Sequence, residues 1–312
     1  MNYRLASALA LSMLFTMALL YATLSLPAAL HTYLIEYFPD YGLAEWVEAR
    51  RVVEALRPIG YVSLLTVTAL VAAGFASKRF KASLLGSLAV DLPTFSYFAS
   101  TMFFLAGVGL FRLLWIPFID MDPWLLKLGH AVLLPYVALS ILVTPKLAGL
   151  AFILAGCFVF SFGTATWLYG RSRGVELIDF WAYRLSRHPQ YLGFLLWSYG
   201  LMVTPLWWGW VKGGYVPTPS LPWLLAALIV MTVALSEEAL LTKRFGERYI
   251  RYREAVPFLF PAPRKLRSAT ARPIKLLLDR PYPTSVKEAF LVTVLYGALL
   301  IASSIPVAYF LP

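Results

Sequence analysis

The chain has 312 residues, 60% of them hydrophobic and only 14% charged, with a formal net charge of +11 and a mean hydropathy of +0.71. Soluble domains run about 45–50% apolar and about 25% charged, so the composition excludes an ordinary soluble domain and points to an all-α integral membrane protein. The positive charge flanks apolar stretches, which suits membrane lipids with anionic headgroups and argues against nucleic acid as a partner.

In chain order, Leu5 to Leu30 is apolar for longer than the core of a signal peptide and predicts a retained span. His31 to Arg57 is polar, with Glu45, Glu48, Arg50, Arg51 and Glu54 at helical spacing, and reads as a solvated helix at the membrane face. Pro58 to Ala76 is a second span, closed by Lys78-Arg79-Phe80-Lys81. Asp91, ahead of Leu92-Pro93, reads as a cap or turn residue. A third span runs from about Thr94 to Phe118 and contains Arg112, close enough to the span's end to snorkel. A fourth (Gly129 to Thr144) and a fifth (Leu147 to Tyr169) are divided by a tight turn at Pro145-Lys146. Cys157, the single cysteine, lies in the fifth span and reads as a small packed side chain. With three histidines (His31, His130 and His188) and no Cys/His cluster, no metal site is expected.

A loop from Gly170 to Arg187 leads into a helix from Pro189 to about Trp210. The Gly- and Pro-rich stretch Lys212 to Pro222 returns the chain to a seventh span, Trp223 to Ser236, which a helix from Glu237 to about Glu254 continues outside the bilayer. A basic, proline-containing tail precedes a last span, Val286 to Phe310. The sum is about eight transmembrane helices in three regions: N-terminal helices for substrate access or scaffolding (1–146), a core (147–261), and a basic tail with a C-terminal span (262–312). Most of the 27 Lys and Arg residues fall on the side that holds Arg187 and Glu254. That side is therefore cytoplasmic, and the expected location is the cell membrane.

Two polar stretches interrupt this pattern. The first is Arg187-His188-Pro189-Gln190-Tyr191-Leu192-Gly193. Pro189 suits the first turn of a helix, where its missing N–H costs nothing. That sets His188 at the helix mouth, where free N–H groups favour an anionic ligand group. Gly193 lies one turn on, so a ligand could press against bare backbone. The second stretch begins at Glu237-Glu238 and runs through Phe245-Gly246 to Val256-Pro257. A carboxylate there can accept from hydroxyls or an ammonium, and Phe245, Tyr249 and Tyr252 recur as one helical stripe. Tyr249 and Tyr252 serve equally well as membrane anchors. Arg248, Arg251 and Arg253 read as lipid-headgroup contacts.

Together the two stretches resemble the isoprenylcysteine carboxyl methyltransferase and phospholipid methyltransferase superfamily of membrane enzymes. Its pattern is R-H-P-x-Y-x-G, a span, then E-E-x-x-L-x-x-x-F-G-x-x-Y-x-x-Y-x-x-x-V-P. Arg187, His188, Pro189, Tyr191 and Gly193 fill the first half; Glu237, Glu238, Leu241, Phe245, Gly246, Tyr249, Tyr252, Val256 and Pro257 fill the second in register. The resemblance covers the stretch from Gly174 to Pro261. It implies S-adenosylmethionine as cofactor, a cytoplasm-facing pocket built from the C-terminal half, and methyl transfer by residues 147–261. His188, Pro189, Tyr191, Gly193, Glu237, Glu238, Tyr249 and Tyr252 would form the cofactor site.

The acceptor in such enzymes is an isoprenylcysteine carboxylate, a lipid amine or a small thiol. A carboxylate is ionised at neutral pH, whereas an amine needs a base. The relatives' substrate arginine in the helix before the motif loop has no counterpart in Ser161 to Tyr169, so Arg171, Arg173 and Arg187 are the basic residues left for an acceptor. The relatives' G-x-Y lead-in is altered to Trp181-Ala182-Tyr183. The expectation is a lipophilic acceptor that enters from the bilayer, with no residue assigned a catalytic role. Two alternatives stand beside it: a sterol-reductase-like enzyme using NADPH, whose relatives share the histidine element but usually lack the paired acids, and a non-catalytic scaffold or transporter.

Overall fold

The computed structural model describes residues 3–34, 46–103, 114–204, 206 and 218–311, with no strand among them. The helices are α1 (Tyr3–Leu34), α2 (Trp46–Ala76), α3 (Phe80–Phe103), α4 (Ile116–Met121), α5 (Leu134–Leu142), α6 (Pro145–Ser172) and α7 (Ala182–Leu185). They continue with α8 (Pro189–Val203), α9 (Ser220–Phe245), α10 (Glu247–Ala255), α11 (Arg264–Thr270), α12 (Arg272–Leu278) and α13 (Val286–Phe310). A 3-10 stretch, Pro123–Leu133, precedes α5. Among the described residues, five helical segments are long and apolar enough to cross a membrane: Arg57–Ala76, Trp124–Leu142, Pro145–Ser172, Ser220–Phe245 and Val286–Phe310. Leu147, Leu150, Leu154 and Phe158 recur along α6 and all are exposed. An apolar stripe of that kind suits lipid and not water, so this is the build of a membrane protein.

Several boundaries differ from those predicted. The third helix starts at Phe80, directly after Lys78-Arg79, and not near Thr94. Asp91 is therefore no cap; it lies within α3 and is fully buried. Pro145 is not part of a turn but the first residue of α6, as its fixed φ allows. The extension from Glu237 to Glu254 is not one helix. α9 ends at Phe245, and Gly246 holds φ +51 before α10 begins, a conformation open chiefly to glycine. Arg112, most of the Lys212–Pro222 stretch and the end of the predicted motif helix at Trp210 lie outside the described residues.

The chain divides into two units that interleave along the sequence, where the sequence predicts regions in succession. Unit 2 comprises Tyr21–Ala151, Ser198–Ile229 and Gly297–Pro312. In it α2 and α3 pack closely at glycine: a Cβ on Gly86 would meet Val71 Cγ2 at 2.3 Å. Leu114, Trp115, Leu126 and Leu221 form an apolar cluster with Leu64 and Val67. Tyr199 donates to Val132 O at 2.7 Å and accepts from Tyr136 N at 3.1 Å, which satisfies a buried phenol and two backbone groups at once.

Unit 1 comprises Met1–Leu20, Phe152–Trp197 and Val230–Tyr296 and holds both polar motifs. In it α6 and α8 meet through glycine: a Cβ on Gly156 would lie 2.3 Å from Trp197 N, and one on Gly193 2.4 Å from Phe160 N. α9 and α13 meet where Thr232 donates to Thr293 at 2.9 Å, above a cluster of Leu235, Ala289 and Val292. This packing sets the start of α8 beside the lower half of α9, which is what the site requires.

Candidate functional site

Pro189 opens α8 as predicted, and His188 precedes it with 8% of its surface exposed. The His188 backbone N–H donates to Ser186 Oγ at 3.2 Å, and its carbonyl accepts from Leu192 N at 3.0 Å. The loop ahead of α8 is fastened to the chain after α10. Arg187 N donates to Pro257 O at 3.0 Å, Ser186 Oγ to Phe258 O at 3.4 Å, and Tyr252 OH to Tyr183 O at 2.7 Å. Two segments far apart in sequence are thereby held as one surface, the contacts spanning 69 residues at Tyr252 and 72 at Ser186.

Charge collects on that surface. His188 Nε2 lies 3.2 Å from Glu238 Oε1, and since a carboxylate can only accept, the imidazole donates. Arg187 Nε lies 3.1 Å from the same oxygen, with only 10% and 3% of the two side chains exposed. This Nε–H is not aimed at the oxygen, so the contact is an ion pair without a directed hydrogen bond. Glu237 differs from its neighbour: its side chain is 36% exposed, and it accepts from Tyr191 OH at 3.0 Å. His188 Nδ1 sits 3.9 Å from Glu237 Oε2, and the imidazole stacks on Tyr191 with ring centres 5.6 Å apart. Phe258 closes the other side, edge-on to His188 at 5.3 Å.

Tyr249 and Tyr252 lie beside this cluster and are held in place. Tyr249 is 1% exposed, and Tyr252 is committed to the Tyr183 carbonyl. Burial raises the phenol pKa of Tyr183, Tyr249 and Tyr252 well above the ordinary value, so all three are neutral donors at physiological pH. Tyr183 donates to Gln190 Oε1 at 2.8 Å, tying the loop to the first turn of α8. Because the helix breaks at Gly246, Phe245 belongs to α9 and does not share a helical stripe with Tyr249 and Tyr252.

Gly193 does not face a ligand. The space before it is filled by the Phe160 backbone, so its small size serves helix packing. Arg171 and Arg173 lie at and just beyond the end of α6, exposed, over the rings of Trp167 and Tyr169 at 5.6 Å each. Trp181, standing where glycine would be at ease, holds φ +50. It is anchored by stacking on Tyr169 at 4.9 Å and by the edge of Phe180 at 5.3 Å.

The sequence signals missed Arg253. It is not a surface headgroup contact but a buried residue at 7% exposure. It follows the buried Tyr249 by four residues and so shares its helix face, which was the available signal. Among the described residues, no group of three or more His, Cys, Asp or Glu side chains is arranged to hold a metal ion. Chemically, the surface offers one partly exposed carboxylate with spare acceptor capacity (Glu237), one buried carboxylate whose Oε1 is shared by His188 and Arg187 (Glu238), an imidazole, two guanidinium groups and stacked aromatic faces. Such a set suits a zwitterionic ligand. No family model matches the chain, and no curated protein or solved structure is significantly similar to it.

Proposed function

We propose that the chain is an S-adenosylmethionine-dependent methyltransferase that acts on a lipophilic acceptor at the cytoplasmic face of a membrane. One observation carries this reading: the two motif halves, 50 residues apart at His188 and Glu238, close on each other at 3.2 Å. A pair of motifs kept only for packing has no need to bring a histidine, an arginine and two carboxylates together at reduced exposure.

The residues fit the cofactor's groups. Glu237, half turned to solvent and held by one phenol, has lone pairs left for ribose hydroxyls or the ammonium. The Tyr191 face beside His188 tolerates a sulfonium. His188 and Tyr191 are fixed by Glu238 and Glu237, Pro189 seats the start of α8 at Gly163 of α6, and Tyr252, with Tyr249 beside it, ties the loop through the Tyr183 carbonyl. Gly193 contributes the close α6–α8 approach on which Pro189's position depends. When bound, S-adenosylmethionine supplies an activated methyl group, so the chain's part is to orient, to exclude water and to fix charge. The finer membrane arrangement, about eight crossings with the motif side cytoplasmic, belongs to the same proposal and rests on the Lys and Arg excess on that side.

The test is calorimetric titration of the detergent-purified protein with S-adenosylhomocysteine and, separately, NADPH. S-adenosylhomocysteine is expected to bind and NADPH not. Glu237→Gln loses a hydrogen bond to a charged group, so affinity falls at least about tenfold, while thermal unfolding stays unchanged because the side chain is partly exposed. Binding of NADPH alone would replace this reading with a reductase. Binding of neither, or full affinity in Glu237→Gln, would end it.

A further inference from the structure

The buried cation Arg253 is under-compensated. It sits on α10 with 7% of its surface exposed, yet among the described residues it forms no ion pair with a carboxylate. Among the described residues, one hydrogen bond and one ring face meet its guanidinium. Nη1 donates to Thr242 Oγ1 at 3.2 Å, and the guanidinium carbon lies 3.3 Å over the Tyr282 ring. Nε and Nη2 have neither an acceptor nor solvent contact. These two nitrogens form one edge of the planar group, the parallel pair of N–H bonds that matches both oxygens of a carboxylate or phosphate. A ring face compensates charge from above but accepts nothing from N–H bonds in the guanidinium plane. By contrast, Arg187, equally enclosed, has Glu238 at 3.1 Å.

The position is informative as well. Thr242 Oγ1 donates in turn to the Glu238 carbonyl at 2.8 Å, so Arg253 stands one turn of α9 beyond the acid that Arg187 and His188 hold. Tyr282, which covers it, belongs to the non-helical link between α12 and α13. Arg280, Thr284 and Glu288 tie that link by hydrogen bonds, but the half-buried Tyr282 side chain takes part in none of them and can swing aside.

We propose that Arg253 and Thr242, with Tyr282 as a displaceable cover, form an oxyanion subsite for the carboxylate or phosphate headgroup of a membrane amphiphile. The subsite stands on its own geometry. That its occupant is the methyl acceptor rests on the methyl-transfer reading above. The Tyr282 ring swings off the guanidinium face, and the headgroup is held bidentate at the Nε–Nη2 edge, which sets the rest of the amphiphile beside Glu238.

The experiment uses full-length protein in a neutral detergent, titrated calorimetrically with dodecyl phosphate, laurate, dodecanol, inorganic phosphate and S-adenosylhomocysteine. Dodecyl phosphate and laurate are expected to bind and dodecanol not. Arg253→Gln loses the charge-assisted pair and weakens the two anionic amphiphiles at least about tenfold. Arg253→Lys, which keeps charge without the fork, falls between, and carries the test should the glutamine variant fail to fold. Tyr282→Leu tightens the amphiphiles because the competing ring is gone; a merely structural arginine–tyrosine pair gives no such gain. Equal binding of dodecanol, or unchanged affinity in both Arg253 variants, overturns the subsite. Inorganic phosphate binding as tightly as dodecyl phosphate overturns the amphiphile assignment. Loss of S-adenosylhomocysteine together with the anions in Arg253→Gln gives Arg253 to the cofactor's carboxylate and overturns the headgroup assignment. If wild-type protein binds dodecyl phosphate but not S-adenosylhomocysteine, the methyl-transfer reading fails and the subsite survives.

Discussion

Glu237 and Glu238 are neighbours in sequence and differ in what they do. Glu238 is buried against Arg187 and His188, whereas Glu237 faces outward and meets one phenol. Removing one partner of a buried ion pair strands the other, at a cost of about 3–5 kcal/mol. Glu238→Gln should therefore lower the unfolding free energy by that order, measured by chemical denaturation in detergent, and its ligand-binding defect will mix site and fold. Replacing both partners, as in Arg187→Met with Glu238→Leu, should recover most of the lost stability. A double variant no more stable than Glu238→Gln would show that the two charges are not coupled. Tyr252→Phe leaves the Tyr183 carbonyl without its donor and should cost about 1–3 kcal/mol.

At the scale of elements, glycine does two different jobs in the motifs. Gly193 permits contact: a Cβ there would stand 2.4 Å from the Phe160 backbone nitrogen, which cannot yield as a flexible side chain could. Gly193→Ala should force α6 and α8 apart and cost about 1–3 kcal/mol. Gly246 permits a bend: nothing lies within 4 Å of an added Cβ, but φ is +51. Gly246→Ala should cost a similar 1–3 kcal/mol, roughly, through backbone strain alone. The two can be told apart. Shortening Phe160 will not rescue Gly193→Ala, because the clash is with backbone. Gly246→Asn should cost as much as Gly246→Ala, because φ +51 with ψ −131 lies outside the left-handed region that asparagine tolerates. A loss in the asparagine variant well below that of alanine would count against strain as the cause.

For the whole molecule, the distribution of Lys and Arg makes a sidedness prediction. Cys157 is the chain's one cysteine, so Cys157→Ser gives a clean background. In sealed right-side-out vesicles, single cysteines at Arg184 and Arg248 should react with a membrane-impermeant maleimide only after permeabilisation. A cysteine at Lys146 should react before it. Labelling of Arg248→Cys from outside would invert the topology and remove the site from the compartment assigned to it. On the lipid-facing stripe of α6, Leu154→Arg should lower the yield of membrane-inserted protein, since a cation in mid-bilayer costs about 2.5–3.5 kcal/mol on insertion scales.

What the sequence determined by itself is set by local chemistry. Apolar length decided the membrane helices, and α13 begins at Val286 and ends at Phe310 as predicted, because hydrophobic runs and their edges are written in consecutive residues. Pro189 announced the start of α8 because its ring fixes φ and lacks a donor. The spacing of the motifs announced which residues to watch, but not which of them touch. That Glu238 and not Glu237 takes Arg187, that Gly193 serves Phe160 and not a ligand, and that Arg253 is buried beneath Tyr282 were decided only by tertiary structure. Each depends on how one helix face meets another segment far away in sequence. Helical periodicity gives a face its character without naming its partner, and a single positive φ at Gly246 is enough to turn every face that follows it.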